Sequence, residues 1–170
     1  MIPTEIRTAR LDLLPLRVGH AEEMAAVLGD PALHTFIGGA PDDADALRAR
    51  YRRMLAGSPE PGVSWCNWVL KLRDGERACL IGTVQATVGA DGSAEIAWVV
   101  GTPWQGHGFA SEAARGLVAW LAERSVRTVV AHVHPGHAAS AAVARAAGLA
   151  ATDVVQDGEV RWQSAPGRGQ

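Results

Sequence analysis

Ala94-Glu95-Ile96-Ala97-Trp98-Val99-Val100 leads through Pro103-Trp104-Gln105-Gly106-His107-Gly108-Phe109-Ala110 into a long helical stripe, and this stretch decides the fold. The first seven residues read as a strand. From Phe109 to Glu123 the apolar residues Ala113, Ala114, Leu117, Trp120 and Leu121 recur at helical spacing. A β-branched run follows, Val126 to Val133. Strand, helix and strand in that order predict a right-handed crossover between two parallel strands. Glycines in the connecting turn let the main chain fold back and approach a ligand closely. The first N–H groups of the helix have no partner within it, and with the helix dipole they make an anion site suited to phosphate.

Three ligand classes use such a turn. A phosphate-binding loop for nucleoside triphosphates ends in Gly-Lys-Ser/Thr, which is absent here. A dinucleotide fingerprint usually opens a βαβ unit and has an acidic residue at the end of the next strand. Here that strand ends His132-Val133-His134, and the turn follows an antiparallel meander. Coenzyme A, whose pyrophosphate carries the same charge, is what remains. The turn alone is equally compatible with an ordinary tight connection.

Outward from this unit the pattern is mostly antiparallel. Trp65–Leu72, Cys79–Val88 and Ala94–Val100 are strands separated by Asp74-Gly75 and Asp91-Gly92, the strongest short hairpin signal. A last hairpin, Ala150–Gln156 with Glu159–Gln163, turns at Asp157-Gly158. Arg10–Leu16 is a strand in which Pro15 requires an edge or a bulge. Gly19–Leu28 reads as a short helix with Met24, Val27 and Leu28 inward. Asp42–Ala56 reads as a second, capped by Asp42 or Asp43, with Leu47, Tyr51, Met54 and Leu55 at helical spacing. An Ala-rich helix spans Ala139–Ala147. No linker divides the chain, so a single domain over residues 1–170 is expected, with Ser164–Gln170 a loose tail.

Composition is that of an ordinary globular protein: 48% hydrophobic and 20% charged over 170 residues, with net charge -2. That balance offers no broad basic field for nucleic acid or anionic lipid. The N-terminal residues lack the apolar run of a signal peptide, and no segment is apolar enough to span a bilayer. A cytoplasmic protein is expected, with Cys66 and Cys79 as buried free thiols.

At the glycine turn the chain resembles the GNAT acetyltransferase superfamily. Gln105-x-x-Gly108-x-Ala110 matches its acyl-CoA signature, Gln/Arg-x-x-Gly-x-Gly/Ala. Three flanking stretches are similar to the ribosomal-protein N-acetyltransferase-like (RimJ/RimL-like) branch. They are Thr8-Ala9-Arg10-Leu11-Asp12-Leu13, Trp104 through Ala113, and Pro135-Gly136-His137-Ala138-Ala139-Ser140 ahead of Ala147-Gly148-Leu149. The resemblance implies an α/β (α+β) GNAT fold, a mixed and mostly antiparallel splayed sheet of about seven strands flanked by about four helices. Acetyl-CoA would lie in the opening between Ala94–Val100 and Val126–Val133. Gln105, Gly106, His107, Gly108, Phe109 and Ala110 would form the pyrophosphate turn. Val99 and Val100 would pair with the pantetheine, one of their N–H groups polarising the thioester carbonyl. Ser140 would contact the cofactor or protonate the leaving thiolate. His137 stands where the family has Asn; imidazole can replace that hydrogen bond, and it can also move a proton.

The implied reaction is direct attack of an amine on the thioester, and the amine must arrive neutral. At pH 7 roughly one lysine amine in 2500 is neutral, against roughly one α-amine in ten. Glu95, an ionisable residue in an apolar strand just before the splay, is the candidate general base. Its alternative is a carboxylate facing solvent. His34, in the loop Asp30–Pro41, and Trp98 are candidate substrate contacts. His132, His134 and His137 lack the carboxylate or cysteine partners of a metal site, so no metal is expected. The acceptor is a protein N-terminal α-amine or a small-molecule amine. A lidded pocket made by Asp30–Pro41 and Pro59–Ser64 would favour the second. The rival reading is a non-catalytic acyl-CoA-binding sensor, and a monomer and a homodimer both remain open.

Overall fold

The computed structural model describes residues 1–73 and 77–165. Eight strands form one sheet: β1 (Ile6–Arg7), β2 (Leu11–Pro15), β3 (Ser64–Leu72), β4 (Cys79–Val88), β5 (Ser93–Val100), β6 (Thr128–Val133), β7 (Leu149–Gln156) and β8 (Glu159–Ser164). Their order is β1-β2-β3-β4-β5-β6-β8-β7, antiparallel except for β5 with β6. Helices α1 (Ala21–Val27), α2 (His34–Ile37), α3 (Ala44–Leu55), α4 (Phe109–Ala122) and α5 (Ala138–Ala146) complete the described chain, with 3₁₀ turns at Val18–His20, Pro31–Leu33 and Thr102–Trp104.

The count is one strand and one helix above expectation. β1 has only two residues, too few for an alternating pattern to register. The extra helix is the single turn α2, inside what reads as a loop. Pro15 pairs with Trp68, while β1 reaches only Leu13 and Asp12, so the missing N–H falls beyond the end of β1. The Asp74-Gly75 turn and residues 166–170 of the expected tail lie outside the described residues, while Ser164 closes β8 and accepts the Val129 N–H at 2.9 Å.

Packing follows strand alternation. Trp68 and Leu70 of β3 join the core that holds Phe109, Ala113, Leu117 and Leu121 of α4. Val69, between them, points the other way, into a second core with Met24 and Val27 of α1 and Leu47 and Tyr51 of α3. Thus α1 and α3 cover one face and α4 covers the other, with α5 packed against α4. Leu55, at the end of α3, is 49% exposed and Trp65 of β3 is 38% exposed, so neither joins a core. Cys66 is buried and Cys79 only half-buried; both are free thiols.

The feature that positions the site is a fork in the sheet. β5 and β6 pair only at Ser93–Thr128, Ala94–Val129 and Glu95–Val130. Beyond that point β6 continues against β8 and β5 against β4. Gly82 lets β4 come close to β5 there, because a Cβ on it would lie 2.2 Å from the Val99 carbonyl oxygen. The β5 edge from Ile96 to Val100 therefore borders an opening, with the main-chain groups of alternate residues free to face it.

Candidate active site

The opening is capped by the start of α4. Gly106 and Gly108 have φ of +76° and +80°, and Gly108 is the N-cap residue with no side-chain cap. The first N–H of this helix to find a main-chain acceptor is that of Glu112, on Gly108 O at 3.0 Å. The six preceding N–H groups, Gly106 to Ser111, have no hydrogen-bond acceptor among the described residues. Six unsatisfied donors at a helix start form a strong anion cradle. The Gln105 side chain holds the turn to the fork by donating to Val100 O at 3.0 Å. The exposed His107 ring lies against the turn's own carbonyls, Gln105 O at 2.9 Å and Trp104 O at 3.2 Å.

Ladder alternation separates Val99 from Val100. Gly101 N–H bonds Ile81 O, and Gly89 N–H bonds Ser93 O, which sets the phase of the unshifted β4–β5 register. The main chain of Val99 therefore bonds Thr83 of β4, whereas Trp98 and Val100 turn theirs into the opening. Of the two valines expected to pair with pantetheine, Val100 turns its main chain into the opening and Val99 does not; Trp98 does so too. Trp98 packs against the small core of Ala114, Val143 and Ala147 between α4 and α5.

On the side of the fork covered by α1 and α3, a cavity of about 280 Å³ reaches β5 at Ala97, Trp98 and Val99. Leu16, Leu47, Met54 and Tyr51 line it, and Asp42, Arg50 and His34 contribute charged and polar groups. Leu33 and His34 come from the expected lid segment; no residue of Pro59–Ser64 takes part. Asp30 ties this segment to the β5–α4 connection by accepting the Thr102 hydroxyl at 2.7 Å, a bond that also lowers the Asp30 pKa. Burial pushes the Tyr51 hydroxyl up to about 12, so it stays protonated.

Glu95 shares the strand face of Ala97 and lies one side-chain repeat, about 7 Å, before it. Its side chain is 60% exposed and accepts from His132 Nδ1 at 3.0 Å. The His132 partnership across the fork was missed in the sequence, since the two residues are far apart in the chain. His137 caps α5: its Nδ1 accepts the Ser140 N–H at 2.9 Å. That bond is the one an Asn side chain makes at an N-cap, and it leaves Nε2 to carry the ring proton in the neutral form. Nε2 lies 3.5 Å from Ser140 Oγ. Phe36 of α2 rests on His137 and His134, with ring centroids 4.2 and 5.2 Å apart, so it bridges the fork from the cavity side. Among the described residues no three His, Cys, Asp or Glu side chains gather as metal ligands. No described helix is long and apolar enough to cross a membrane.

A sheet that forks beside a helix whose N-terminal amides are bare is the arrangement of an acyl-CoA-dependent transferase. The profile of the acetyltransferase (GNAT) domain family matches residues 10–150, and the chain belongs to that family. Solved structures of the same fold include an acetyltransferase from Agrobacterium tumefaciens. It is 26% identical, with 96% of this chain and 95% of that one covered and a TM-score of 0.75. Another is RimL, a ribosomal L7/L12 alpha-N-protein acetyltransferase in complex with coenzyme A. It is 16% identical, with 94% and 97% covered and a TM-score of 0.76. A third is AAC(6')-Ib in complex with paromomycin and acetyl-CoA, 17% identical, with 91% and 93% covered and a TM-score of 0.74. No curated protein sequence matches the chain.

Proposed function

We propose that this enzyme transfers the acetyl group of acetyl-CoA to a compact primary amine by direct attack within a ternary complex. The six partnerless N–H groups from Gly106 to Ser111 carry this reading, because they supply a pyrophosphate site at the mouth of the fork. Pantetheine pairs as an added strand with Trp98 and Val100, and the Val100 N–H polarises the thioester carbonyl; the free main-chain groups of these two residues support this pairing. The amine nitrogen attacks the carbonyl carbon from the cavity at Ala97–Val99. The tetrahedral oxyanion collapses, the C–S bond breaks, and the CoA thiolate takes a proton. Ser140 is the donor for that proton, its hydroxyl backed by His137. Glu95 receives the ammonium proton through water, and His132 holds the carboxylate in place.

The shape of the acceptor site favours a small molecule. At about 280 Å³, walled by α3 and roofed by the α2 segment, the cavity is smaller than the range of about 300–1,000 Å³ usual for drug-sized ligands. An extended peptide needs a longer groove than this. A small α-amine, which is partly neutral at pH 7, also asks less of an exposed base than lysine does. Acetyl-CoA and two free thiols suit a cytoplasmic setting. The test is thiol release from acetyl-CoA across a panel of amino acids, small amines and N-terminal peptides. Turnover is expected with compact amines. CoA binding without turnover on any amine would instead mark a sensor.

A further inference from the structure

We infer that Arg10, outside the glycine turn, is a direct ligand of the CoA pyrophosphate and supplies the positive charge that the turn itself lacks. The inference rests on the acyl-CoA reading above and adds a residue to it. From Gln105 to Ser111 the turn contains no Lys or Arg. Gln105 occupies the signature position that can hold Arg, and its amide is committed to Val100 O. Main-chain dipoles alone would face a diphosphate carrying two negative charges.

The fold brings one guanidinium to the turn. Arg10 sits between β1 and β2, and its Nη1 donates to His107 O at 2.9 Å. Its guanidinium carbon lies 4.3 Å from the centre of the Phe109 ring. A Cβ on Gly108 would come within 3.5 Å of Arg10 Nη2, so this nitrogen borders the bare amides. Nη2 has no hydrogen-bond acceptor among the described residues, and the side chain is 45% exposed.

The placement is held from behind. Glu112, on the first turn of α4 and nearly buried, accepts from Arg10 Nε at 2.8 Å, Arg10 N–H at 2.9 Å and the Thr8 hydroxyl at 2.6 Å. Arg73 grips the other side of the same segment through Ala9 O and Asp12, both at 2.7 Å. Nε and Nη1 are thus spent on positioning and Nη2 remains for a phosphate oxygen, a division that the planar fork of Arg allows and the ammonium of Lys does not.

The experiment compares wild type with Arg10→Gln and Glu112→Gln, measuring CoA and dephospho-CoA affinity by calorimetry across a salt series. Turnover is followed with acetyl-CoA and with S-acetylpantetheine, a donor without phosphates. Arg10→Gln should weaken CoA and dephospho-CoA alike by about tenfold and flatten the salt dependence, as loss of one charge-assisted contact requires. Its turnover on S-acetylpantetheine should match wild type. Glu112→Gln, which leaves the Arg10 charge in place, should retain the salt dependence. Unchanged CoA affinity in Arg10→Gln overturns the inference. So does a loss seen only with CoA, which would put Arg10 on the 3′-phosphate, and so does an equal loss on S-acetylpantetheine, which would mean general damage. If wild type itself binds no CoA, the acyltransferase reading fails first, and that result is distinct from the others.

Discussion

Gly108 shows how one residue can hold a site open. At φ +80° it begins α4, and any L-residue there meets the left-handed penalty of about 1–2 kcal/mol. A side chain would also project toward Arg10 and the bare amides. Gly108→Val should raise the KM for acetyl-CoA by at least about tenfold and cost about 1–2 kcal/mol of stability, read from kinetics and thermal melts. Glu95 tests the chemistry in place of the binding. Glu95→Gln should lower kcat by roughly 10²-fold, with the deficit widening toward low pH, where less of the amine is neutral. A pH–rate profile parallel to wild type would remove Glu95 as the base. Glu112 is a contrasting carboxylate. Burial alone would raise its pKa, but hydrogen bonds from Thr8 and Arg10 outweigh burial and hold it below its ordinary value. It is a fixed anion that orients its neighbours and carries no proton in turnover.

At the scale of elements, α3 forms one wall of the cavity proposed for the acceptor. Its N-terminus is capped by Asp43, whose Oδ1 accepts the Ala46 N–H at 2.8 Å. Asp43→Ala should cost about 1 kcal/mol, a few degrees of Tm. Because Leu47, Arg50 and Tyr51 lie on this helix, the acceptor KM should rise before the acetyl-CoA KM does. The turn ahead of α1 carries a pH dependence. His20 is buried, and its Nδ1 accepts the Arg17 N–H at 3.0 Å. Burial, then the Arg17 charge, lowers its pKa below 6.5. A depressed histidine favours folding in its neutral form, so its contribution is fully present above the unfolded value. It is lost as pH falls through the folded one. Wild type should therefore lose more Tm than His20→Gln between pH 7.5 and pH 5.5.

For the whole molecule, the decisive property is that two halves of one sheet part company after Glu95 and Val130. Gly82 is the control point, since nothing larger fits beneath the Val99 carbonyl. Gly82→Ala should destabilise by about 1–3 kcal/mol and reduce kcat/KM for acetyl-CoA, because β5 must move and take Trp98 and Val100 with it. A variant that melts and turns over like wild type would show that the fork tolerates movement there.

Much of this was already present in the chain. Period-2 and period-3.6 patterns determined β3 to β5, α3 and α4, since each buries one face and must alternate accordingly. Gly106 and Gly108 determined the turn ahead of α4, since few residues other than glycine fold back at positive φ. His137 in the Asn position was legible as a substitution, but its role as the cap of α5 emerged only from where its Nδ1 lies. The single turn α2 was too short to leave a period, and its Phe36 acquires meaning only by resting on two histidines far along the chain. The choice of Val100 over Val99, the Glu95–His132 pair and the grip of Arg10 on the turn were likewise decided by tertiary structure. Each depends on strand phase or on residues 37 to 102 positions apart, which no local pattern encodes.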